Sequence, residues 1–227
     1  MKAKVRNSEQ KVDKTQRHVA FVEAISRVGK SFLGNPKETP LNLIPDLLKF
    51  CPLGESHPSK SGQLYEKFVL CAMVGIFGDI VDHNLSDLHP YNESGFSDIE
   101  LPFRSEMVSK YPHWLAWYLE YKIRFISVEV KNLKGSASCG AIVQLKHHIE
   151  KIGRGKFGFV VSRNGFTNRA LKELKCFAQK GFLILPLENE DLVKLIKIVL
   201  NNSLNKERSL KVIQYLRVKE NQLYRIR

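Results

Sequence analysis

Apolar and polar positions follow two different periods along this chain, and the switch between them marks out its elements. Residues 8–33 carry Val12, Val19, Phe21, Val22, Ile25 and Val28 as scattered anchors of a helix. The stretch LGNPKETP, residues 33–40, is turn-rich and breaks that pattern. A short helix follows at 41–50, and CPLGESHPSKSG, residues 51–62, reads as a linker or long loop. From Gln63 the chain turns apolar on nearly every side: QLYEKFVLCAMVGIFG, residues 63–78, predicts a buried helix stopped by Gly78. Strands are predicted at 79–84 and 95–103. Residues 104–121, rich in aromatics, read as an irregular or partly helical insertion.

The second half is more regular. YKIRFISVEVKN, residues 121–132, is β-branched and aromatic and predicts a strand. A helix is predicted at 136–153, with Ser136 or Ser138 as cap and Gly153 as stop. A buried strand at 156–164, a helix at 167–181 capped by Thr167, a buried strand at 182–187 and a helix at 189–202 complete the run. A basic amphipathic helix at 204–225 places Leu210, Ile213, Leu216 and Tyr224 on one side. Alternation of this kind predicts an α/β fold, a central mixed β-sheet flanked by helices. The division it suggests is a helical extension and linker over 1–61, a core over 62–202 and a basic terminal helix over 203–227.

One strand carries chemistry. Glu129 and Lys131 stand two positions apart and therefore share a face with Ser127, while Ile126, Val128 and Val130 take the other. A charge buried alone is strongly unfavourable. The bland reading is a salt bridge at a sheet edge, or a strand end emerging into solvent. Asp98, at the start of a second strand-like segment, changes that balance. Two carboxylates from neighbouring strands can share a hard divalent cation such as Mg²⁺. A lysine beside them would have its pKa depressed by burial and by the cation, and could orient or deprotonate an attacking water. Asp79 and Asp82 are rivals to Asp98 if the strand register differs.

Charge points the same way. The formal net charge is +13 across 227 residues, which favours a polyanionic partner. Residues 134–180 hold ten Lys or Arg against two acids, whereas residues 78–108 hold seven acids against one Arg. An acidic cation site within a basic surround suits a phosphate backbone. Cys51, Cys71, Cys139 and Cys176 are widely separated, show no CxxC pairing, and read as reduced core thiols of a cytoplasmic protein. No apolar run approaches a membrane span, and the basic start lacks the apolar segment of a signal peptide.

The segments SDIEL and VEVKN resemble the PD-(D/E)XK nuclease signature, with Ser97 where that pattern often has Pro. More narrowly, residues 62–198 resemble the restriction-endonuclease-like domain of the Mrr type. GQLYEKFVLCAMVGIFG is similar to the first helix of that family, AIVQLKHHI to the helix after the catalytic strand, and residues 156–196 to its closing strand–helix–strand–helix. The resemblance implies a Mg²⁺-dependent endonuclease acting on DNA, most simply double-stranded, with Mn²⁺ able to substitute and a homodimer serving two strands. It implies that Asp98, Glu129 and the Val130 carbonyl hold the cation, with Glu66 acting through water. Lys131 would serve the nucleophile, and Gln144 would orient Lys131 or the substrate. A fold retained for binding nucleic acid without cutting, or a subunit of a restriction system, is the competing reading.

Lys134, Arg154, Lys156 and Arg163 are the expected contacts to the nucleic-acid backbone. GRGKFG, residues 153–158, lacks the ending of a P-loop and precedes a strand, so it reads as a basic turn. His147, His148 and Glu150 lack metal-ligand spacing and read as surface or phosphate-facing residues.

Overall fold

The computed structural model describes residues 41–51, 60–82, 87–88, 98–151, 153–202 and 204–226. The expected helix at 8–33, the break at 33–40 and residues 52–59 of the loop expected at 51–62 lie outside the described residues, and residues 60–62 of that loop begin a helix instead. Ser97 also lies outside the described residues.

Among the described residues, five strands form one mixed sheet in sequential order: β1 (Asp87–Leu88), β2 (Ile99–Pro102), β3 (Phe125–Lys131), β4 (Phe157–Ser162) and β5 (Leu183–Glu188). The first three strands run antiparallel, and β3, β4 and β5 run parallel. Parallel neighbours need crossovers, and two helices supply them: α4 (Cys139–Lys151) between β3 and β4, and α5 (Asn168–Gln179) between β4 and β5. The other helices are α1 (Ile44–Phe50), α2 (Lys60–Phe77), α3 (Leu115–Tyr121), α6 (Asn189–Leu200) and α7 (Asn205–Tyr224). Thr167 caps α5 by accepting the Ala170 amide at 3.2 Å, as its residue type predicts. Of the segment expected as a strand at 79–84, the described residues 79–82 form an isolated bridge, Val81 to Phe103.

Register assigns the two faces. Val128 pairs with Phe159 and Val130 with Val161, so one face is wholly apolar. Phe159 stacks on Phe77 of α2 with centroids 5.4 Å apart, and Phe157 lies 5.2 Å from Trp117 of α3. Tyr111, Trp114, Trp117 and Tyr121 are all buried there. Residues 104–121 are therefore part of the core rather than an insertion. Large rings fill the space that this end of the sheet leaves between its helices.

The opposite face carries Glu100, Ser127, Glu129 and Lys131, and α4 lies across part of it. A Cβ at Gly158 would come within 2.7 Å of the Ser127 carbonyl oxygen and 2.9 Å of Ile149 Cδ1. Glycine at that position is what lets the helix approach the strand closely.

The terminal helix belongs to the same packed unit. Ser209, Val212, Ile213, Leu216, Glu220 and Leu223 form its buried side, while Leu210 and Tyr224 are exposed. The expected stripe was thus rotated. Trp114 Nε1 donates to Ser209 Oγ at 3.0 Å and Tyr121 Oη to Glu220 at 2.9 Å, so the buried side is chosen by partners on the aromatic segment. None of the four cysteines forms a disulfide, and burial pushes the Cys51 thiol up to about 12. No described helix is long and apolar enough to cross a membrane.

Candidate active site

Strand β3 is buried along both faces, a consequence of its position between β2 and β4. Glu129 lies in its middle at 2% exposure. Lys131, nearer the open end, donates from Nζ to Glu129 Oε1 at 2.5 Å. Glu129 Oε2 is buried and takes no hydrogen bond among the described residues.

Asp98 sits just ahead of β2. Ile99 pairs with Val128, so the register places Asp98 opposite Glu129 on the same face. Its amide donates to the Val128 carbonyl at 3.1 Å, and its Oδ2 accepts the Val130 amide at 2.6 Å. The carboxylate is thereby held against the backbone between Glu129 and Lys131. Its rivals are placed elsewhere. Asp79 is gripped by Arg208 of α7 through Oδ1 at 2.6 Å and Oδ2 at 3.1 Å. Asp82 gives its amide to the Pro102 carbonyl beside the start of the aromatic segment.

Electrostatics couple the group. Burial pushes the Glu129 carboxyl up to about 8; the Asp98 charge adds to that rise, Lys131 opposes it, and Glu66 adds further. At Lys131, burial alone would lower the pKa, but Glu129, Asp98 and Glu66 together outweigh it and raise the ammonium above its ordinary value. The depression expected from burial is thus reversed by three neighbouring carboxylates. Glu66, on α2, is buried at 8% exposure, near enough for its charge to act on both residues. Gln144 lies exposed on α4, with no hydrogen bond to Glu129 or Lys131.

Comparison with known protein families, curated proteins and solved structures found no match for this chain.

Next to the site lies a cluster that went unnoticed in the sequence. Glu100, two residues beyond Asp98, accepts from His148 Nε2 and from Arg154 Nη2, each at 2.8 Å. His148 is buried, not a surface residue. Arg154 also lies over the Phe125 ring, 3.9 Å from its centroid. Arg163 is likewise drawn inward: it donates to the carbonyls of Cys51 and Lys49, the latter at 3.1 Å, and to Asn132 Oδ1 at 3.3 Å. Both arginines, expected at a nucleic-acid backbone, are half-buried and bond to internal carbonyls and carboxylates. A guanidinium's planar fork of donors suits that work. Lys134 is exposed in the loop after β3, and Lys156 stands half-buried with Nζ 5.5 Å from the Phe182 ring centre. The alternating parity of Asp98 and Glu100 was the available signal for the Glu100 cluster.

Proposed function

We propose that this chain is a Mg²⁺-dependent DNA endonuclease with a restriction-endonuclease-like arrangement of its mixed sheet. The observation that carries this reading is the convergence of Asp98, Glu129 and Lys131 on one sheet face, with Asp98 bonded to Val130 at 2.6 Å and Lys131 to Glu129 at 2.5 Å.

The donor set fits a hard cation. Glu129 Oε2 is a buried acceptor that takes no hydrogen bond among the described residues. No three His, Cys, Asp or Glu side chains among the described residues form a fuller cage. Two carboxylates with water completing the shell match Mg²⁺, which gives up its waters reluctantly. Asp98 and Glu129 would hold the ion, with the Val130 carbonyl beside them. When bound, it polarises the phosphate and lowers the pKa of a coordinated water.

The chain's own groups do the rest. The Lys131 ammonium orients the water and neutralises charge on the phosphate as the transition state forms. The water oxygen bonds to phosphorus and gives up a proton to solvent, the bond from phosphorus to the 3′ oxygen breaks, and that oxygen takes up a proton. The products are a 5′-phosphate and a 3′-hydroxyl. The exposed bases within residues 134–180, Lys134 among them, supply the sequence-independent grip on DNA.

Nicking of a supercoiled plasmid, with and without Mg²⁺, tests the reading, with Lys131→Ala as the comparison. Cation-dependent nicking by the native chain, lost in the variant, is the expected result. Equal behaviour of the two proteins overturns it. DNA binding without any nicking would favour a non-cutting nucleic-acid-binding module.

A further inference from the structure

Strand β4 ends in a residue that its own environment does not explain. Ser162 is fully buried, and its Oγ has no hydrogen-bond partner among the described residues. The rest of the strand, Phe157 to Val161, is glycine and large apolar side chains. An apolar residue would suit the position better, because a buried hydroxyl left unmatched is unfavourable and calls for an account. Its neighbour supplies one. In the parallel pairing of β3 with β4, Ser162 stands in register with Lys131, as Val160 does with Glu129. Residues paired in this way lie about 4.8 Å apart across the strands and project on the same face. Glu129 Oε2, equally buried and unmatched, belongs to that face too.

We propose that Ser162 is a positioning residue for Lys131. In the structure Lys131 leans on Glu129 Oε1. When Glu129 turns its oxygens to a cation, the ammonium must find another acceptor, and the Ser162 hydroxyl is the one in register with it. A hydroxyl accepts and donates at once. Its oxygen accepts a hydrogen bond from the Lys131 ammonium and so holds that ammonium toward the attacking water. This assignment rests on the endonuclease reading for its kinetic consequence, while the contact itself can be observed separately.

Ser162→Ala is expected to lower kcat for plasmid nicking by about 10- to 100-fold, the usual effect of removing a group that orients a ligand or catalytic side chain, with KM for DNA unchanged. Ser162→Thr, which keeps the hydroxyl, is expected to recover most of that rate. Ser127→Ala removes a second buried, unmatched hydroxyl on the same face, beside Gly158, and is expected to nick at the native rate. Thermal unfolding of each variant confirms that it folds. A native kcat in Ser162→Ala, or an equal loss in Ser127→Ala, overturns the assignment.

The second arm needs no cleavage. In ¹⁵N-labelled protein saturated with Ca²⁺, the Lys131 ammonium resonance is expected to persist in the native chain and to broaden away in Ser162→Ala. Identical spectra overturn the contact whether or not the chain cuts DNA. Absence of nicking by the native chain, with the resonance difference present, overturns the endonuclease reading alone.

Discussion

Asp98 accepts the amide proton of Val130 at 2.6 Å, so a side chain from the edge of one strand takes a place in the hydrogen-bond ladder of the next. The bond lies between Glu129 and Lys131 in sequence and sets the distance of one acid from the other. Position is therefore built into the backbone rather than left to a flexible rotamer.

That relationship separates charge from shape. Asp98→Asn retains an oxygen that can accept from Val130, so the melting temperature should hardly move. Cleavage should fall at least about 100-fold, because a neutral amide is a poor ligand for Mg²⁺ and losses of this order already attend the removal of its supporting groups. Plasmid nicking and circular dichroism on the same preparation check both halves.

Arg154 should matter for stability rather than for DNA. Its loss leaves Glu100, buried at 4% exposure, with His148 as its remaining partner in the cluster. Arg154→Ala should destabilise by about 2 kcal/mol, the scale of a hydrogen bond to a charged group. Urea denaturation measures it. The slope of DNA affinity against salt should stay as in the native chain, since no phosphate contact has been removed. A shallower slope would show that the guanidinium faces the backbone after all.

The aromatic segment makes an opposite pair of expectations. Trp117 is fully buried against Phe157 and Tyr121, and Trp117→Ala should cost about 3–5 kcal/mol. Leu119, two residues on, is 63% exposed, and Leu119→Lys should change stability by no more than about 0.5 kcal/mol. Equilibrium unfolding of the two variants distinguishes a core segment from an inserted lid.

Acid should weaken the junction between α6 and α7. Burial by itself would raise the Asp191 carboxyl, but Lys219 at 2.8 Å, Tyr215 at 2.6 Å and the Glu188 amide at 2.9 Å outweigh it and hold the pKa below 3.8. A carboxyl lowered in the folded state stabilises the fold at pH values above its ordinary 3.8 and loses that contribution as pH falls through the lowered value. Asp191→Asn should be less stable than the native chain at neutral pH, and the difference should shrink below that window. Melting temperatures measured from pH 6 downward test the sign.

Much of the fold was legible because local rules and tertiary demands agree in the second half of the chain. The helix expected over 167–181 is found at Asn168–Gln179, the strand expected over 182–187 at Leu183–Glu188, and the terminal helix of 204–225 at Asn205–Tyr224. Thr167 and the β-branched runs act through the backbone next to them, so their meaning survives any packing. Parity along β3 likewise placed Ser127, Glu129 and Lys131 on one face, because a strand has no other option.

Packing decided the rest. Whether Asp79, Asp82 or Asp98 would face Glu129 depended on the register of β2 with β3 and on Arg208, which is 129 residues away from Asp79 in sequence. Aromatics at 111–121 carry no periodic mark that distinguishes a core from a lid, and only the open end of the sheet made them a core. Arg154, Arg163 and His148 looked like surface charge because their partners, Glu100 and the carbonyls of Lys49 and Cys51, lie far away along the chain. Sequence by itself determines what depends on neighbours within a turn or a strand. Which distant charge meets which is settled when the sheet assembles, since desolvation penalises each buried ion until a partner from another element arrives.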